Sequence, residues 1–192
     1  MSAPYTGRQK VELELKNWYK ILSPRTVVLI STIDAQGKSN AAPYSFVMPI
    51  SCQPAMIGFA SAPKHHTLFN IRQTKEFIIN IPSEGIIDQV WQCAKPYPQG
   101  VSEIKETGLT EEKARKVSIP RIGECLGWFE CRCEFEKEIG DHVMVVGHVL
   151  HAEVRDEWWK DDKYLAISAK PLLHIGGAEF AIPGWATEPV EQ

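Results

Sequence analysis

Asn40-Ala41-Ala42-Pro43-Tyr44-Ser45-Phe46, then Ala55-Met56-Ile57-Gly58-Phe59-Ala60, then Ser61-Ala62-Pro63-Lys64-His65-His66-Thr67: this stretch of the 192-residue chain decides how the rest is read. Its first segment is a strand of small and polar residues. Pro43 has no N–H to give to a ladder, so the strand is broken or at a sheet edge there. The second segment is an apolar strand. The third is a polar turn that opens a helix at Leu68-Phe69-Asn70-Ile71. A turn of that kind presents free backbone N–H groups, hydroxyls and a lysine to one point, which is how a chain holds a phosphate. The same residues also suit a plain strand-to-helix connection whose Ser and Thr cap the helix. Lys64 and the pair His65-His66 are what capping does not need. An edge strand of small residues lets a ligand approach backbone closely. The stretch as a whole therefore reads as the binding site of a phosphorylated, flat cofactor.

Upstream, Arg25 to Ile33 is rich in β-branched residues and reads as a strand. Asp34-Ala35-Gln36-Gly37-Lys38 is a hairpin turn, with Gly37 suited to positive φ. Before it, Val11, Leu15, Trp18 and Leu22 form an apolar helical stripe in Gln9 to Leu22, ended by Ser23-Pro24. Downstream, Glu76 to Ile81 reads as a strand buried on both faces. Ser83 reads as the N-cap of a helix to Ala94. Lys95 to Ser118, punctuated by Pro96, Pro98, Gly100 and Gly108, reads as an excursion over the domain surface, of a length often tied to function. Phe129, Cys131, Cys133 and Phe135 alternate with Glu130, Arg132, Glu134 and Glu136, the pattern of a half-buried strand. Gly140-Asp141 turns the chain into a second long strand, His142 to Val154. Trp158 to Asp162 reads as a loop, Pro171 to Ile175 as a last strand, and the polar tail after Trp185 as loose. Six or seven strands with few helices imply a closed or nearly closed antiparallel barrel with helical embellishments.

Apolar residues make up 44% and charged residues 23% of the chain, enough for a real core. The formal net charge of -3 gives no basis for a nucleic-acid or anionic-membrane partner. No apolar run approaches the ~20 residues of a membrane span, and Met1 to Tyr5 lacks a signal-peptide core. Five cysteines cannot all pair within one chain, which points to a reducing, cytoplasmic compartment.

Cys131 and Cys133 stand on one face of a strand and read as buried thiols, because a closed zinc site needs ligands that no nearby motif supplies. No metal site is expected, and Cys52 and Cys93 have no assigned role. Of His65-His66, one is read at the helix entry. His148 and His151 read as structural. Gly140-Asp141-His142 is either a plain turn or an imidazole and carboxylate at a barrel mouth, where His142 could orient or protonate a redox partner.

Taken in order, these residues resemble the flavin reductase-like, FMN-binding split-barrel family, which includes flavoredoxins and small FMN-binding proteins. The similarity is carried by Pro24-Arg25-Thr26, Asn40 to Phe46, Ser61…Lys64…His66-Thr67…Asn70-Ile71, Glu76-Phe77…Asn80-Ile81, Gly140-Asp141-His142…Gly147…Val149 and Leu173-His174-Ile175-Gly176-Gly177. It covers roughly Ser23 to Phe180. The resemblance implies a mainly β, six-stranded antiparallel split barrel with a few peripheral helices. It implies a domain over 23–180, preceded by a helix within 1–22 packed on the barrel and followed by a tail, 181–192. It also implies a homodimer with FMN near the subunit interface. Asn40, Ala41, Ala42, Pro43, Tyr44 and Ser45 would lie along the ring and ribityl chain. Ser61, Lys64, His66 and Thr67, with Arg25, would hold the phosphate. Lys95, Pro96 and Tyr97 would cover the flavin. His142 matches the position linked in reductases to the nicotinamide side, with NAD(P)H as substrate and a small molecule or protein as electron acceptor. A non-enzymatic FMN electron carrier is the other function the resemblance allows. The chain departs from the family pattern at His148, where reductases often carry Arg, and at His65, where an acidic residue is common.

Overall fold

The computed structural model describes residues 10–187. Seven antiparallel strands form the main sheet: β1 (Val28–Ile33), β2 (Ser39–Tyr44), β3 (Val47–Cys52), β4 (Ala55–Ser61), β5 (Glu76–Ile81), β6 (Gly127–Ile139) and β7 (His142–Val154). Their order is β2-β1-β5-β6-β7-β4-β3. The two outermost strands, β2 and β3, are consecutive in the chain and separated only by Ser45-Phe46. The carbonyl of Phe46 accepts from Ala60 N at 2.9 Å, so the chain leaves one edge and joins the other within two residues. The sheet thereby wraps into a barrel. Counting 39–52 as one bent strand gives six walls; counting hydrogen-bonded segments gives seven. Sequence patterning missed β3 because Pro49 sits inside it, tolerated at an edge.

Pro43 stands in β2 opposite Leu29, and its missing N–H is harmless because β2 has a neighbour on one side only. Alternate residues of β1 feed different clusters. Val28 and Ile30 pack with Tyr44, Phe59, Leu68, Ile71 and Phe77, while Leu29 joins Ile78, Val90, Ile104, Ile122 and Trp128. Period-two alternation buries both faces of the central strands, as expected for β5. Gly147 in β7 is required by packing: a Cβ there would lie 2.7 Å from the Phe77 ring and 2.9 Å from Arg132 O.

Three segments differ from their sequence patterns. The N-terminal stripe forms a 3-10 helix over Leu15–Leu22 with none of its residues buried, and Leu15 and Trp18 are 85% and 58% exposed. Gln9, where the pattern begins, and the end of the tail beyond residue 187 lie outside the described residues. The excursion after Lys95 is packed rather than draped. Ser102 caps a short helix, α2 (Glu103–Glu106), and Ile104, Leu109, Ala114 and Ile119 are buried. Beneath that cover Glu130, expected to face solvent, is fully buried. It accepts from Arg121 Nε at 2.9 Å and from the amides of Arg115 and Lys116. Burial pushes its carboxyl up, but the bonds from Arg115 N, Arg121 and Lys116 N outweigh this and hold it below the usual carboxylate range. Trp158 to Asp162, read as loop, belongs instead to a small hairpin in which Trp159–Lys160 pairs with Lys163–Tyr164. No helix among the described residues is long and apolar enough to cross a membrane.

Candidate functional site

β2 forms the floor of a trough. Beyond β4 the turn Ala62 to His65 leads into α1 (His66–Thr74), whose first turn faces Asn40. The contact is fixed by a buried polar network. Thr67 Oγ1 donates to Asn40 Oδ1 at 3.2 Å, Thr32 Oγ1 donates to the same oxygen at 3.3 Å, and Asn70 Nδ2 donates to Thr32 Oγ1 at 3.0 Å. Asn40 Nδ2 donates to Glu103 Oε1 at 2.8 Å, and Ala41 N donates to Glu103 Oε2 at 3.2 Å. Every polar atom that Asn40 buries is thus paired, which leaves the β2 backbone and the helix entrance rigidly related. Burial pushes the Glu103 carboxyl up, against the bonds from backbone and Asn40.

The trough has two ends. One, a cavity of about 430 Å³, is lined by Asn40, Ala42, Pro43, Lys64, His66, Thr67, Lys95, Pro96, Tyr97 and Glu103. Here α1 begins. His65 N bonds Ala62 O, and Leu68 N and Phe69 N bond His65 O, whereas the amides of His66 and Thr67 have no acceptor among the described residues. Free amides at a helix start, with Lys64 and Lys95 beside them, are the groups that could hold an anion. The other end, about 210 Å³, is lined by Val27, Pro43, Tyr44, Ser45, Val90, Trp91, Ala94, His174, Gly177 and Phe180. The two share Pro43 and Ala94 and run into one another along β2.

Of the residues singled out in the sequence, Asn40, Ala42, Pro43, Lys64, His66, Thr67 and Lys95 meet at the first end, and Tyr44 and Ser45 line the second. Ala41, fully buried, has its side chain in the core beneath. Three residues depart from expectation. Ser61 is fully buried behind the trough, its Oγ 3.1 Å from Tyr44 Oη and bonded to Ala62 O, so it does not reach the anion end. Arg25 lies at the opposite end from Lys64. Its backbone pairs with His174, and its guanidinium donates to Tyr19 O, Ser23 Oγ and His174. The reason is direction: β1 runs antiparallel to β2 with Val28 opposite Tyr44, so a residue before Val28 lies beyond Tyr44. Thr67 is buried with its hydroxyl committed to Asn40, so its N–H, without an acceptor among the described residues, is the group left for a ligand.

His142 follows the register of β7. Val143 pairs with Ser61, which brings His142 beside the turn at Ala62. Its Nδ1 lies 2.7 Å from Asp141 Oδ1, and its ring lies 5.6 Å from Phe46. It lines neither end of the trough but flanks His65. The His65 ring keeps substantial solvent contact, yet partial burial first, then His142 and His66, push it below the ordinary histidine value. Its Nδ1 is 3.3 Å from Tyr44 Oη. Burial in turn pushes the Tyr44 hydroxyl up, opposed by Ser61 and Thr67.

Sequence patterning did not assign Glu103, Trp91, Phe180 or His174 to the site. The run Leu173 to Gly177 marked His174 as part of a motif, but only the sheet brings it to Ser45.

Comparison with known proteins agrees with this architecture. An uncharacterised protein of Methanothermobacter thermautotrophicus is 36% identical over 160 residues, covering 80% of this chain and 76% of that one. The crystal structure of nitrilotriacetate monooxygenase component B from Bacillus cereus superposes with a TM-score of 0.84 at 24% identity, covering 98% of this chain and 100% of that one. Flavoredoxin from Methanosarcina acetivorans superposes with a TM-score of 0.83 at 21% identity, covering 95% of each chain. The two likenesses establish the split-barrel fold. The family model described as flavin reductase like domain matches residues 21–181, and the chain belongs to that flavin-binding family.

Proposed function

We propose that the chain binds FMN along β2, phosphate at the α1 entrance and ring toward Ser45, and acts as an oxidoreductase that takes electrons from NAD(P)H and passes them to a small-molecule or protein acceptor. The observation that carries this is the trough itself. From Asn40 to Ser45 it spans five residue steps, about 16 Å at strand spacing, the reach of a flavin mononucleotide. At one end stand free amides and two lysines, and at the other an aromatic-walled slot. Bound flavin would supply the two-electron chemistry; the chain supplies position and field. The His66 and Thr67 amides hold the dianion, Lys64 and Lys95 neutralise it, and Ala42 and Pro43 let a flat ring lie against backbone. His142, beside the open mouth, is placed to meet the electron donor.

Two features support a homodimer. The apolar stripe of Leu15–Leu22 is exposed, as are Met48 and Ile50 of β3, an extent of apolar surface typical of an interface. A separate apolar cavity of about 740 Å³, lined by residues including Ile81, Phe129, Val154, Trp159 and Leu173, adds to it.

A non-enzymatic FMN carrier is favoured by one observation: His142 does not line the trough and is already engaged by Asp141. Anaerobic stopped-flow mixing of the FMN-loaded protein with NADH and NADPH separates the readings. Bleaching of the flavin within seconds is expected of the reductase. Its absence with both nucleotides overturns the reductase reading in favour of the carrier.

A further inference from the structure

The ring end holds a hydrogen-bond chain whose direction is dictated by donor chemistry. Arg25 Nη2 lies 3.3 Å from His174 Nδ1. A guanidinium only donates, so Nδ1 is an acceptor and the ring hydrogen sits on Nε2, which donates to Gly177 O at 3.2 Å. Ser45 Oγ lies 3.1 Å from the same Nδ1. A hydroxyl facing an acceptor nitrogen donates to it, so Ser45 turns its lone pairs into the pocket. Arg25 is itself immobilised. It donates to Tyr19 O at 3.2 Å and Ser23 Oγ at 3.0 Å, and it lies between the Tyr19 and Phe46 rings at 5.9 and 5.5 Å. Its Nε is buried with no acceptor, and among the described residues no carboxylate pairs with it.

The walls above Ser45 are aromatic. Phe180 packs edge-on to Trp91, centroids 6.4 Å apart, and lies 5.6 Å from His174. An apolar slot with one inward-facing acceptor takes a planar ring through an N–H edge. We infer that Ser45 is a specificity-determining acceptor for the N–H edge of a bound heteroaromatic ring, and that Arg25 and His174 are positioning residues that fix its direction. The inference rests on the flavin reading above and sharpens it, because oxidised isoalloxazine carries a single ring N–H, at N3.

The test is fluorescence titration of the full chain with FMN, 3-methyl-FMN and riboflavin, in wild type, Ser45→Ala and His174→Phe. Wild type is expected to bind FMN about 3- to 10-fold more tightly than 3-methyl-FMN, the worth of one neutral hydrogen bond. Both variants should lose that preference. They should keep the preference for FMN over riboflavin, which is set at the other end and shows that the fold and phosphate site survive. FMN binding without discrimination against the N3-methyl group, or discrimination that persists in Ser45→Ala, overturns the inference while leaving the flavin reading intact. Failure of wild type to bind FMN at all sinks the flavin reading and the inference with it.

Discussion

The two ends of the trough are built in opposite ways. The donors of the first end come mostly from contiguous chain, Lys64 and the free amides of His66 and Thr67 at the start of α1, with Lys95 alone added from elsewhere. The ring end is assembled from four distant places, Arg25, Ser45, Trp91 and His174 with Phe180, and its polarity depends on side chains correcting one another. A backbone-built site loses only part of its affinity when one exposed side chain is removed, and more when its scaffold shifts. A side-chain relay fails one member at a time while the scaffold stands. The contrast predicts that the largest losses at the first end come from residues that hold its scaffold together.

Glu103→Ala is expected to have the largest effect. It leaves Asn40 Nδ2 and Ala41 N buried without acceptors, at a cost of about 3 kcal/mol in urea unfolding for two orphaned donors, with loss of bound FMN. Unchanged stability would mean that β2 does not depend on α2. The charge has its own signature. Because burial raises the Glu103 carboxyl above its ordinary value of 4.5, the folded chain holds that proton more tightly than the unfolded chain. The associated stability is full below that value and is lost as pH rises through the folded-state value. Glu103→Gln should therefore show a flatter stability profile than wild type on the alkaline side of pH 4.5; parallel profiles would contradict this.

Next comes Thr67→Val, which removes one of the two donors to Asn40 Oδ1 and should cost about 1 kcal/mol. FMN affinity should fall only as far as α1 loosens, since the Thr67 amide is retained. A loss of FMN with stability unchanged would instead make the hydroxyl a direct ligand.

These expectations turn on what the sequence could and could not reveal. That Lys64, His66 and Thr67 would meet at one cavity was legible because they are local and read in chain order. The broken strand at Pro43 was visible for the same reason. Glu103 was hidden inside a Pro- and Gly-punctuated excursion, because a carboxylate in a polar run carries no sign of the buried amide it will meet. Glu130 misled by alternation: period two gives the face, not what covers it. Arg25 was assigned to the wrong end because strand direction relative to β2 emerges only from pairing. His174 stood in a recognisable motif, but a role for it required its register with Arg25. The barrel class followed from the count of strands, whereas its closure through Ser45-Phe46 did not.

The smallest effect concerns the mouth. His65 sits below its ordinary value through partial burial, with His142 as the next cause. Replacing His142 with Ala removes that repulsion, so the His65 titration followed by NMR should move upward, toward the ordinary histidine value. No movement would separate the two rings and leave His142 without a partner in the site.

The central claim, that the α1 entrance holds the phosphate of a flavin lying along β2, is tested most directly by the affinity ratio of FMN to riboflavin in wild type and Lys64→Ala. Wild type is expected to prefer FMN by tenfold or more, about 1.4 kcal/mol. Lys64→Ala should reduce that ratio severalfold while leaving riboflavin binding unchanged. Equal affinity for FMN and riboflavin in wild type would contradict the account.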